Sequence, residues 1–180
     1  MATAAVFLID GIEEIEAINT IDILRRGGVQ TTLVSLNPGL EVKGTNNIQI
    51  KADTLLKDTD TGGFDILVLP GGTLAYLDHK PIMDIIAEAG KKGRKLAAIC
   101  VAPVVFGELG LLKGKKAVCY PGNEDRLTGA EVLQVPVVTD GNITTSRGPS
   151  TAILFGLELV RILAGQEASD KVRSGILLAA

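Results

Sequence analysis

Three short runs in this chain, Ala4–Ile9, Ile66–Leu69 and Leu96–Ile99, are apolar at every position. A strand with one wet face alternates polar and apolar residues. A strand apolar on both sides must be covered on both sides, as in a mainly parallel sheet between helices. Each run is followed by a turn or helix signal, so strand and helix alternate along the chain. The expected class is therefore α/β, a mainly parallel sheet with helices on both faces. Thr31–Leu36 is β-branched and reads as a further strand. Val42–Ile50 reads as a hairpin-like excursion around Gly44 and Asn46-Asn47, and Ala117–Tyr120, Val135–Thr139 and Asn142–Thr145 as strands.

Four helices are expected between them. Glu14–Arg26 carries Ile15, Ile18, Ile21 and Leu24 as an apolar stripe and ends at Gly27-Gly28. The others are Ile82–Lys92, Val101–Leu109 closed by Gly110, and a long apolar helix opened by Gly148-Pro149-Ser150 and running to about Leu163. No linker or repeat divides residues 1–180, so one domain is expected. With 180 residues, 46% of them hydrophobic and 22% charged, the chain has enough apolar material for its own core without disulfides or metal.

Charge excludes several functions. Eighteen Lys+Arg against 21 Asp+Glu leave a net −3, and the dense cationic stretch Lys91-Lys92-Gly93-Arg94-Lys95 falls in a connection. Trp is absent and aromatics are 3%, so neither the basic footprint nor the stacking surface of a nucleic-acid binder is present. No apolar run is long enough to span a membrane, and the N-terminus lacks the charged start of a signal peptide. Two cysteines, Cys100 and Cys119, make no disulfide framework. A cytoplasmic protein with free thiols is expected.

In a parallel α/β sheet, ligands bind beyond the carboxyl ends of strands. Three such ends carry distinctive chemistry: Asp10–Glu16, Pro70-Gly71-Gly72 and Ile99-Cys100-Val101. Cys100 sits between a strand and a helix with no loop residue to spare, as in a nucleophile elbow. A helix N-terminus beside it is expected to lower the thiol pKa. Gly71 and Gly72 permit close backbone approach, and the N–H groups of Gly72 and Val101 could form an oxyanion hole. Glu13 and Glu14 suit the positive end of a helix. Glu16 lies at the border of the apolar stripe, where a carboxyl tends to hold its proton and could serve Cys100 as a hydrogen-bond donor or general acid/base. The single histidine, His79, lies in a polar loop and is expected on the surface. With no second histidine, neither a Ser–His–Asp triad nor a zinc site is expected, and no cofactor is implied. Cys119 reads as inert core.

Four motifs in order, Gly11-Ile12-Glu13-Glu14-Ile15-Glu16, Asp65–Gly72, Ala97-Ala98-Ile99-Cys100 and Thr145-Ser146-Arg147-Gly148-Pro149-Ser150-Thr151, resemble the ThiJ/PfpI superfamily, in particular its DJ-1 branch and the bacterial relatives of that branch. The resemblance covers essentially the whole chain. It implies a flavodoxin-like three-layer sandwich that forms a homodimer. It implies that Cys100 is an oxidation-prone nucleophile, that a protonated Glu16 hydrogen-bonds it, and that Gly71, Gly72 and Val101 shape an oxyanion-like pocket. Arg147 matches an arginine at the pocket rim where anions can bind. The implied activities are glutathione-independent glyoxalase or protein deglycase action on methylglyoxal or its early adducts. The alternative is a redox sensor or chaperone that works through oxidation of the same cysteine.

The chain departs from the pattern in two places. Where many members have a His-Pro pair it has Tyr120-Pro121, so no Cys–His couple forms and PfpI-type proteolysis is not expected. Asn46-Asn47 stand where several relatives carry an arginine that reaches the partner subunit's site.

Overall fold

The structure is a computed structural model that describes residues 1–178; Ala179 and Ala180, the end of the apolar tail that begins at Ile176, lie outside the described residues. The chain runs β1 (Thr3–Leu8), α1 (Glu14–Arg26), β2 (Gln30–Ser35), β3 (Glu41–Lys43), β4 (Gln49–Lys51), β5 (Thr54–Leu55), β6 (Ile66–Leu69), α2 (Lys80–Lys91), β7 (Lys95–Ile99) and α3 (Pro103–Glu108). It continues through β8 (Lys116–Ala117), β9 (Glu131–Val132), β10 (Val137–Asp140), β11 (Ile143–Ser146), α4 (Ala152–Ala164) and α5 (Gln166–Gly175). Seven strands form one sheet in the order β10-β11-β7-β6-β1-β2-β5. Every pairing in it is parallel except β10 with β11.

The fully apolar runs are the middle of this sheet. Ala4–Leu8, Leu67–Leu69 and Leu96–Ile99 are wholly buried because helices cover both faces. The handedness rule explains the layering. From β1 to β2 the chain steps one way along the sheet, and from β6 to β7 the other way. Right-handed crossovers in opposite directions put α1 and α2 on opposite faces. Helix α4 returns to pack against α1. The reversal falls between β1 and β6, and a doubly wound sheet binds ligands beyond the carboxyl ends of the strands at such a point.

The structure corrects three sequence expectations and adds a helix that the sequence did not suggest. The stripe on α1 is not its buried face: Ile15 and Ile18 are 51% and 44% exposed, while Glu14, Glu16, Ala17, Thr20, Ile21, Ile23 and Leu24 are buried. A strict three-residue spacing drifts about 60° per step around an α-helix, so Ile15 and Leu24 end on opposite sides. The segment 117–120 contributes no strand to the main sheet; β8 pairs with β9 in a separate two-stranded ladder. The long helix begins only at Ala152, after a tight 3-10 turn over Pro149–Thr151. Finally, α5 follows Gly165 as a polar helix with only Ser169 and Val172 buried, too little apolar material to announce itself.

Candidate active site

Cys100 directly follows β7 with φ of 67°, a left-handed conformation that a non-glycine residue adopts at a cost of about 1–2 kcal/mol. Two backbone hydrogen bonds hold it there. Its N–H donates to the Ser146 carbonyl at 2.9 Å, and its carbonyl accepts from Tyr120 N–H at 2.7 Å. The Thr145–Thr151 motif therefore braces the elbow from the neighbouring strand. The thiol is nearly buried, and the N–H groups of Gly72 and Val101 face it from the side that favours its thiolate.

Glu16 reaches the same point from α1 and has no exposure to solvent. Its Oε2 accepts from Gly71 N–H at 2.9 Å. Its Oε1 has no well-formed partner, although the carboxyl and the Cys100 thiol interact strongly enough to shift each other's proton affinity. The first turn of α1 is tied to the glycine loop as well. Glu13 caps the helix by accepting from Glu16 N–H at 2.8 Å, and its own N–H donates to the Gly71 carbonyl at 2.9 Å.

The glycines are required by this packing. A Cβ on Gly71 would lie 2.5 Å from both the Cys100 Cβ and Glu16 Oε2. Gly72 has φ of 90°, and a Cβ there would collide with the Glu13 nitrogen. Any side chain at either position would push the loop away from the sulfur.

Burial dominates the electrostatics. It raises the Glu16 carboxyl to about 7, helped by the neighbouring charge of Glu13 and opposed by hydrogen bonds from Cys100 and Gly71. It raises the Cys100 thiol to about 12, together with the charge and hydrogen bond of Glu16. The sequence expectation of a lowered thiol pKa is thereby corrected. The Gly72 and Val101 N–H groups do favour the thiolate, but desolvation and the carboxylate outweigh them. Helix α3 adds little, since it has six residues and starts only at Pro103. When Glu16 holds its proton the repulsion vanishes and the carboxyl can donate to the sulfur. The two groups thus titrate as one unit.

Arg147 is half-buried and its charge acts on Cys119, whose thiol burial and Glu124 push up to about 11. The structure therefore sets Arg147 beside the second cysteine, with Tyr120 packed over Gly148 next to it. His79 is not part of this cluster: its Nδ1 caps α2 by accepting from Ile82 N–H at 3.2 Å.

Two contributors escaped the sequence reading. Glu14 is buried and clamps the β3–β4 hairpin by accepting from Asn46 N–H, Asn46 Nδ2 at 2.9 Å and Ile48 N–H at 3.3 Å. Burial opposes its charge, but these hydrogen bonds prevail and hold its pKa below the usual value. Tyr76 is fully buried near Glu16, donates to the Phe7 carbonyl at 3.1 Å, and has its pKa raised by burial and by the Glu16 charge. Neither leaves a local signal, because each depends on a partner more than 30 residues away. Among the described residues no three His, Cys, Asp or Glu side chains gather as a metal site, and no helix is long and apolar enough to cross a membrane.

Residues 2–162 match the sequence profile of the DJ-1/PfpI family. The chain is 38% identical over 182 residues to Protein dj-1beta of Drosophila melanogaster, covering 98% of this chain and 97% of that one. It is 33% identical over 171 residues to the glutathione-independent glyoxalase DJR-1.2 of Caenorhabditis elegans, covering 93% and 91%. Among solved structures, oxidized Toxoplasma gondii DJ-1 superposes with a TM-score of 0.94 at 31% identity over all of both chains.

Proposed function

This chain belongs to the DJ-1/PfpI family, and from that premise we propose that it is a cysteine-dependent enzyme of carbonyl stress, a glutathione-independent glyoxalase or deglycase that acts on methylglyoxal or its early adducts. The observation that carries this reading is the convergence of the Cys100 thiol, a Glu16 carboxyl at about 7 and the Gly72 and Val101 N–H donors. The name of the nematode relative supports the same reaction.

The Cys100 sulfur attacks the aldehyde carbon of an α-oxoaldehyde, and its proton passes to the new oxygen, giving a hemithioacetal. Gly72 and Val101 N–H steady the oxyanion as it forms. Glu16 removes the proton from the former aldehyde carbon and returns it at the adjacent carbonyl carbon, while the hydroxyl proton passes to the adjacent oxygen, so a thioester of a 2-hydroxy acid results. A carboxyl near neutrality is suited to both directions of that transfer. Water then releases the acid and regenerates the thiol. With methylglyoxal the product is lactate, and with a glycated side chain an amine is released in addition. Arg147 stands as the anion-binding residue of this reading.

The same donors suit oxygen atoms placed on the sulfur, which favours redox sensing through a Cys100 sulfinate as the second reading. One experiment separates the two: lactate formation from methylglyoxal without glutathione, for wild type, Cys100→Ser and Glu16→Gln. Turnover in wild type, with at least about 10²-fold loss in both variants, is expected. Wild type no faster than Cys100→Ser would overturn the enzyme. Sensing would then require an intact-mass gain of two oxygens on Cys100 after mild peroxide.

The reading includes a homodimer. Ile15 and Ile18 stand outside α1 with about half their surface in water, on the helix that carries Glu16. A second copy would cover them.

A further inference from the structure

A second cavity of about 570 Å³ opens at the carboxyl ends of β2 and β5, where Ser35 pairs with Leu55. Its volume lies within the roughly 300–1,000 Å³ of small-molecule sites. It shares no lining residue with the Cys100 site. Its walls are mainly apolar: Leu36, Leu55, Leu56, Pro81 and Ile85 line it, from β2, β5 and the first turns of α2.

The polar groups in this wall are of one kind. Lys57 supplies the cation, His79 a second donor, and no Asp or Glu lines the cavity. Ser35 Oγ is occupied, donating to the Gly39 carbonyl at 2.6 Å, and Asn37 Nδ2 is occupied by Asp10 and the Glu41 carbonyl. Lys57 Nζ and His79 Nε2 have no hydrogen-bond or ion-pair partner among the described residues. Because His79 Nδ1 accepts the Ile82 N–H, the ring presents Nε2 as its donor. The cavity thus offers apolar walls, two free donors and no competing acid, which suits a ligand with an apolar body and one anionic end.

We propose that this cavity is a second ligand site, distinct from Cys100, that takes a small monocarboxylate with an aliphatic or aromatic body. The body lies against Leu36, Leu55 and Ile85, and the carboxylate accepts from Lys57 and His79. The chain-end carboxylate of a short fatty acid meets this description, whereas the corresponding alcohol lacks the charge.

Amide chemical-shift titration of the full chain with hexanoate, and separately with 1-hexanol, tests it. Hexanoate should saturate and move amides in 35–37, 55–57 and 79–85, with 1-hexanol at least about tenfold weaker. Lys57→Met should weaken hexanoate by about tenfold and leave 1-hexanol unchanged. Equal binding of acid and alcohol, shifts centred elsewhere, or no saturation by hexanoate would each overturn the proposal. The readout is binding alone, so it stands or falls separately from turnover at Cys100.

Discussion

At the scale of single residues, the site rests on one buried acid. Glu16 sits near 7 in the folded chain against an ordinary value of 4.5. Between these values the folded chain binds more protons than the unfolded one, so stability falls as pH rises through the window, by about 3 kcal/mol in all. Glu16→Gln has no proton to lose. The difference in Tm, variant minus wild type, should therefore grow by roughly 6–12 °C between pH 4.5 and pH 8. A difference that stays constant with pH would show that Glu16 is ionised throughout. Sequence alone put Glu16 at the edge of the apolar stripe. It is instead wholly inside, because the stripe drifts and the true inner face of α1 includes both Glu14 and Glu16.

At the scale of elements, the hairpin β3–β4 is held to the site by Glu14. Its carboxylate takes the Asn46 and Ile48 N–H groups, and Thr45 N–H donates to the Ile12 carbonyl at 2.9 Å. Removing the carboxylate leaves two backbone donors and the Asn46 amide without their acceptor. Glu14→Ala should cost about 2–3 kcal/mol, and the amides of Asn46 and Ile48 should lose hydrogen-exchange protection before those of β1. Unchanged protection at both amides would mean that the hairpin is held by its backbone bonds alone. The sequence shows a hairpin around Asn46-Asn47 but not its anchor, since a clamp across 32 residues has no periodicity to read.

At the scale of the whole molecule, the outer face of α1 presents Ile15 and Ile18 to solvent. The proposed homodimer predicts twice the chain mass by sedimentation at micromolar concentration. Ile15→Lys with Ile18→Lys should give a monomer with an unchanged circular dichroism spectrum, since both side chains lie outside the core. A wild-type monomer, or a double variant that remains dimeric, would refute this interface. The sheet order places that face opposite α2, on the far side of the sheet from the second cavity.

The sequence by itself determined the class of fold and the strand ends that matter. Doubly buried strands must be apolar at every position, and a cysteine squeezed between strand and helix must turn sharply. These are local constraints written in consecutive residues. It did not determine which face of α1 is buried, that 117–120 stays outside the main sheet, or that the Cys100 thiol is raised and not lowered. Those outcomes depend on what packs against each group from distant parts of the chain. Helix α4 lies over α1, and Gly71 brings Glu16 against Cys100. Desolvation of the pair then exceeds what the two backbone donors return, and desolvation exists only once the tertiary structure has excluded water.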